Sequence, residues 1–131
     1  MQVDHLGIAV RSLPEAIAHW RPLVEGPISE PEEVASQRVR VVFAPLGATH
    51  IELLEPTSPD SPIARFVESR GEGFHHVAFH VESVNAELDR IAALGRRLVD
   101  ARARPGARGR RVGFAHPSAF GGVLVEFVED P

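Results

Sequence analysis

The sequence predicts an α+β fold of two pseudo-symmetric βαβββ modules whose curved sheets enclose a cleft. Three observations predict it. The first is an internal repeat: residues 5–20, HLGIAVRSLPEAIAHW, lie on residues 76–91, HVAFHVESVNAELDRI, at an offset of 71. The second is that RVVFA (40–44) lies on RVGFA (111–115) at the same offset. The third is that HIELLEP (50–56) lies on LVEFVED (124–130) at an offset of 74, after three extra residues in the loop HPSAFGG. Neither half can bury its sheet alone, so the 131 residues form one domain. Module 1 spans about 1–56, a linker and short helix 57–72, and module 2 about 73–131.

Each element has its own local reason. HLGIAV and HVAFHV alternate, placing Leu6, Ile8 and Val10, or Val77, Phe79 and Val81, on one strand face. Ser12 and Ser83 are good helix N-caps, and Ser12 with Glu15 has capping-box spacing. The apolar positions that follow recur at i, i+4 and i+7, one stripe of a helix. Pro22 and Gly95 stop these helices. Three more strands follow in each copy, the clearest at 38–44, 49–55, 110–115 and 122–128. PTSPDSP (56–62) is a turn-rich link, and IARFVESRG is a short amphipathic helix.

Composition narrows the chemistry. With no cysteine there is no disulfide framework, no thiolate ligand and no cysteine nucleophile. The formal charge of −4 argues against a basic nucleic-acid binder. No apolar run reaches the roughly 20 residues of a membrane span, and no signal peptide is legible, so a cytoplasmic protein is expected. All 14 basic residues are arginine, and five lie in ARARPGARGRR (101–111). That run is most simply a solvated loop, though guanidinium forks also match phosphate oxygens.

The repeat then sorts the polar residues. Side chains alternate along strands, so His5, Gly7 and Ala9 face the cleft if Leu6, Ile8 and Val10 face the helix. By the same parity His76, Ala78 and His80 face the cleft, and His75 points away. Glu52 and Glu126 occupy equivalent cleft-facing positions on the last strand of each copy. Two imidazoles and two carboxylates without thiolate suit Co, Ni, Mn, Fe or Zn and leave positions open for substrate. A lone His or Glu on a strand is usually a satisfied or exposed residue. Four at matched positions are hard to obtain by chance, so His5, Glu52, His76 and Glu126 are the candidate ligands of a metal-binding cleft. His50 and His80 have no histidine mate, and His80 stands about 13 Å along the strand from His76. His19 falls on a helix surface, and His116 lies in the long loop.

The paired modules with this His, Glu, His, Glu set resemble the vicinal oxygen chelate (glyoxalase/bleomycin resistance) superfamily. Within it the whole chain resembles the methylmalonyl-CoA epimerase family. The resemblance rests on DHLGIAV, VVFAPLGATHIELLEP, DSPIARFVESRGEGFHHVAFHV and GRRVGFAHPSAFGGVLVEF. It implies a metal-dependent isomerase that interconverts the (2R) and (2S) forms of methylmalonyl-CoA by removing the C2 proton through a metal-stabilised enolate. It also implies a divalent ion on His5, Glu52, His76 and Glu126, cobalt first, with Mn, Ni or Zn as alternatives. Glu126 corresponds to the family's ligand-and-base Glu, and its repeat mate Glu52 is the expected partner base. An acyl-CoA substrate makes Arg40, Arg111, His116 and Ser118 candidate substrate contacts, and the family's habit implies a homodimer. Two features depart from the family. Arg40 stands where a characterised epimerase type places a second catalytic Glu, and Ser118 where members often have Lys. Alternatives on the same scaffold are a glyoxalase-I-type lactoylglutathione lyase, an extradiol-type dioxygenase and a metal-free small-molecule binding protein.

Overall fold

A computed structural model describes residues 1–131. The elements run β1 (Gln2–Ala9), α1 (Leu13–Trp20), β2 (Glu32–Val34), β3 (Val39–Leu46), β4 (Thr49–Pro56), α2 (Pro62–Arg70), β5 (Gly73–His80), α3 (Val84–Ala93), β6 (Arg104–Pro105), β7 (Arg111–Ala115) and β8 (Val125–Glu129). Each half is therefore βαβββ, with α2 between them. No helix is long and apolar enough to cross a membrane. The chain divides into two compact units, His5–His75, and His76–Pro131 together with Met1–Asp4.

In the first unit the strand order is β2-β3-β4-β1. β1 and β4 are parallel, and β3 and β4 antiparallel. Helix α1 begins where the sequence places it, with the Ser12 hydroxyl accepting the Glu15 N–H at 3.4 Å. Pro22 falls in the 3₁₀ turn that follows Trp20. Leu13 and Ala16 pack with Val42, Ala44, Ile51 and Leu53, which sit on the helix-facing side of β3 and β4.

The second unit repeats the plan with order β5-β8-β7-β6, β5 and β8 parallel, β7 and β8 antiparallel. Ser83 caps α3 through the Ala86 N–H at 3.1 Å. Gly95 follows the helix in a left-handed conformation (φ 77°) and donates to Ala92 O at 2.9 Å, the ending glycine favours. Val84, Leu88 and Ile91 pack with Val125 and Phe127.

Both halves share a device the sequence reading did not foresee. The Glu55 carboxylate, at the end of β4, accepts the Leu13 N–H at 2.8 Å. The Glu129 carboxylate, at the end of β8, accepts the Val84 N–H at 2.9 Å. A carboxylate at a helix N-terminus satisfies an orphan donor and meets the positive end of the helix dipole, an interaction of about 0.3–1 kcal/mol. The last strand of each half is thus tied to the start of its helix.

The halves differ at one core position. Val42 of the first lies on Gly113 of the second. A Cβ on Gly113 would stand 2.8 Å from Leu88 Cδ1 and 3.0 Å from Val84 Cγ1, so the helix side chains occupy the space that Val42 fills in the other copy. Gly113→Val should therefore destabilise the protein by about 1–3 kcal/mol through overpacking, read as a lowered denaturant midpoint. An unchanged midpoint would show that Leu88 can repack freely.

Candidate metal centre

The histidine-bearing strand faces are the buried ones. Along β1, His5, Gly7 and Ala9 are buried while Leu6 and Ile8 are only partly so. Along β5 the same holds for His76 and Ala78 against Val77 and Phe79.

In the first unit Gly7 lies beside Glu52 in the parallel β1–β4 register. Residues two apart on a strand share a face, so His5 and Glu52 meet across the space Gly7 leaves. His5 Nε2 stands 3.2 Å from Glu52 Oε1, with side chains only 3 % and 8 % exposed. Phe43, opposite Glu52 on β3, packs its ring at 84° to that of His5 with centroids 5.6 Å apart.

The second unit builds the same pair from the same parts. Ala78 lies beside Glu126 in the β5–β8 register, and Phe114 lies opposite Glu126 on β7. His76 Nε2 stands 3.1 Å from Glu126 Oε1, with side chains 1 % and 5 % exposed. Phe114 meets His76 at 5.6 Å between centroids and 78° between planes. The sequence already aligned Phe43 with Phe114, and that pairing was the available signal for these aromatic supports. Each ring packs nearly perpendicular to its imidazole and offers no competing polar atom.

His5, Glu52, His76 and Glu126, all buried, are the side chains that could hold a metal ion. Their spacing within each pair fits the group. Bonds of roughly 2.1 Å to an octahedral ion put neighbouring ligand atoms about 3 Å apart. An imidazole nitrogen and a carboxylate oxygen, with no sulfur in the set, suit a borderline or hard divalent ion.

The other candidates are placed as follows. Arg40 Nη1 lies 3.0 Å from Glu55 Oε1 and Nη2 3.9 Å from Glu33 Oε1. Its repeat mate Arg111 is exposed at the start of β7, in register with Glu129. His116 and Ser118 form one local motif at the turn Pro117–Phe120. The Ser118 N–H donates to His116 Nδ1 at 3.0 Å, and Ser118 Oγ lies 2.8 Å from the same nitrogen. The backbone N–H donor marks Nδ1 as the acceptor, which places the ring N–H on Nε2. His80 Nε2 is 3.0 Å from Asp130 Oδ2. His75 meets the Phe66 ring at 5.0 Å. Within the arginine-rich run, Arg102 reaches Asp89 at 3.4 Å, Arg104 reaches Asp100 at 3.1 Å, and Arg110 binds Asp4. Three of its five guanidinium groups therefore already hold carboxylates.

The protein-family model described as Glyoxalase/Bleomycin resistance protein/Dioxygenase superfamily matches residues 4–114. The mitochondrial methylmalonyl-CoA epimerase of Bos taurus is 37 % identical over 126 residues, covering 95 % of this chain and 72 % of that one. The ethylmalonyl-CoA/methylmalonyl-CoA epimerase of Cereibacter sphaeroides is 37 % identical, covering 95 % of each chain. Among solved structures, a variant of the Streptomyces coelicolor methylmalonyl-CoA epimerase in complex with 2-nitronate-propionyl-CoA superposes with a TM-score of 0.92. It is 32 % identical, and the match covers 99 % of this chain and 94 % of that one.

Proposed function

The chain belongs to the glyoxalase/bleomycin resistance/dioxygenase superfamily, and on that premise we propose that it is a metal-dependent epimerase interconverting (2R)- and (2S)-methylmalonyl-CoA. The observation that carries this reading is the pair of repeat-equivalent, buried His–Glu contacts at 3.2 and 3.1 Å. The epimerases among its relatives support the substrate.

His5, Glu52, His76 and Glu126 would hold one divalent ion, cobalt first and Mn, Ni or Zn next. When bound, the ion supplies a Lewis acid for the oxygen on which negative charge develops as C2 loses its proton. The rest is the work of side chains. The C2 proton lies between a thioester and a carboxylate, so a carboxylate base suffices to remove it once that charge is stabilised. Glu126 takes this proton. Epimerisation also needs a proton delivered to the other face of C2, and Glu52, the repeat mate, is assigned that role. Phe43 and Phe114 keep each imidazole in its rotamer, which fixes the direction of its Nε2.

Arg111, His116 and Ser118 are the side chains assigned to the acyl-CoA. Arg40 enters only by exchanging its Glu55 contact for a phosphate. A homodimer, in a cytoplasmic setting, belongs to the same reading, and sedimentation analysis tests the oligomer. The decisive assay incubates the cobalt-loaded protein in deuterated water with methylmalonyl-CoA and, separately, with the glutathione hemithioacetal of methylglyoxal. Deuterium at C2 of the first, with no turnover of the second, is expected. Turnover of the hemithioacetal alone would replace this function with a glyoxalase-type lyase.

A further inference from the structure

We propose that Arg110 is a positioning residue for the metal ligand His5, acting through Asp4. This rests on the metal reading above but concerns a residue outside the ligand set. Arg110 Nη1 lies 3.1 Å from Asp4 Oδ1, and its Nη2 binds Asp4 Oδ2, so the contact is a bidentate fork. Both side chains are only 12 % exposed. A partly buried, bidentate pair is less screened than the exposed ion pairs of this protein, which are individually weak.

The fork is held at both ends. The Arg110 carbonyl accepts the Gly106 N–H at 2.9 Å, and the Arg110 N–H donates to Ala107 O at 3.2 Å. Residue 111 then starts β7, which pairs with β8, the strand that carries Glu126. At the other end Asp4 precedes His5 by one peptide bond. Neighbouring residues on a strand point to opposite faces, so Asp4 cannot touch the ion that His5 would hold. It can only fix the backbone from which the imidazole projects.

The repeat gives an independent reason to read this as a device. The position equivalent to Asp4 is His75, which precedes His76. His75 is held too, against the Phe66 ring at 5.0 Å, with the Arg70 guanidinium 5.6 Å from that ring's centroid. Each candidate ligand histidine thus follows a residue pinned from the opposite face, by a guanidinium fork in one copy and an aromatic edge in the other. Within the arginine-rich run this removes Arg110 from the groups available to phosphate.

The test titrates metal-free protein with Co²⁺ alone, following the visible d–d absorption, in parallel with circular dichroism and melting of the metal-free form. Arg110→Ala should weaken Co²⁺ binding by about tenfold or more and alter the d–d band. Asp4→Asn, nearly isosteric, should weaken it less, and Arg110→Lys should recover part of the loss. Arg90→Ala, which removes the exposed fork to Glu87, should bind Co²⁺ as the wild type does. If Arg110→Ala does not fold, Asp4→Asn carries the same comparison. A folded Arg110→Ala or Asp4→Asn with a lower melting temperature but wild-type Co²⁺ affinity overturns the proposal and leaves a purely structural fork. Wild-type protein that binds no Co²⁺ overturns the metal reading and this inference together.

Discussion

Stripping the protein with a chelator should abolish epimerase activity, and adding Co²⁺ back should restore it. The expected loss exceeds a thousandfold, because electrostatic stabilisation of the developing charge is the largest single contribution such a site makes. Stability should fall with it. A ligand that binds only the folded protein adds RT ln(1 + [L]/Kd), about 4 kcal/mol at a thousandfold excess over Kd. Differential scanning calorimetry of the stripped and reloaded protein measures this directly. His76→Ala should reproduce the stripped state and resist rescue by added metal. If it kept wild-type activity with stoichiometric cobalt, the ligand set would be wrong.

Replacing Glu126 by Gln should have a comparable effect on rate. The amide keeps the shape of the side chain but cannot take a proton, and a positioned base contributes about 10²–10⁴-fold. Glu52→Gln distinguishes the two carboxylates further. With each hand of substrate in deuterated water, the variant should still exchange C2 of one hand while failing to convert it to the other. Equal exchange of both hands at the wild-type rate would show that a single base serves both faces. Cobalt stoichiometry measured on both variants separates loss of a base from loss of a ligand.

Much of this architecture was legible because the chain is a duplication. The repeat turned weak signals at His5 and at His76 into one constraint. It placed both strand–helix junctions at Ser12 and Ser83, where the caps are found. It also separated His76 from its neighbours in GFHHVAFHV. What it left obscure has a physical explanation in each case. The Glu55 and Glu129 caps link residues 42 and 45 positions apart, and no local pattern reports such a contact. The alignment of RVVFA with RVGFA gives no reason for the glycine at 113, which is that Leu88 and Val84 of α3 fill its space. The arginine run reads most simply as a solvated loop, because composition cannot show that Asp4, Asp89 and Asp100 neutralise three of its members. His75 had no role by strand parity, since parity gives a direction and not the Phe66 ring that waits there.

The carboxylates at the ends of β4 and β8 have a further consequence. Glu55 lies three residues beyond Glu52, and Glu129 three beyond Glu126, so each helix start is lashed to the strand that presents a candidate ligand carboxylate. A small shift of α1 or α3 along its axis would be transmitted to that carboxylate within a few bonds, and would be resisted by the same strand. In mechanical terms each half is a short closed loop of chain, fastened by one hydrogen bond at its seam. The two copies differ at Val42 against Gly113 and at His50 against Leu124, yet both keep the fastening, the aromatic support and the His–Glu contact.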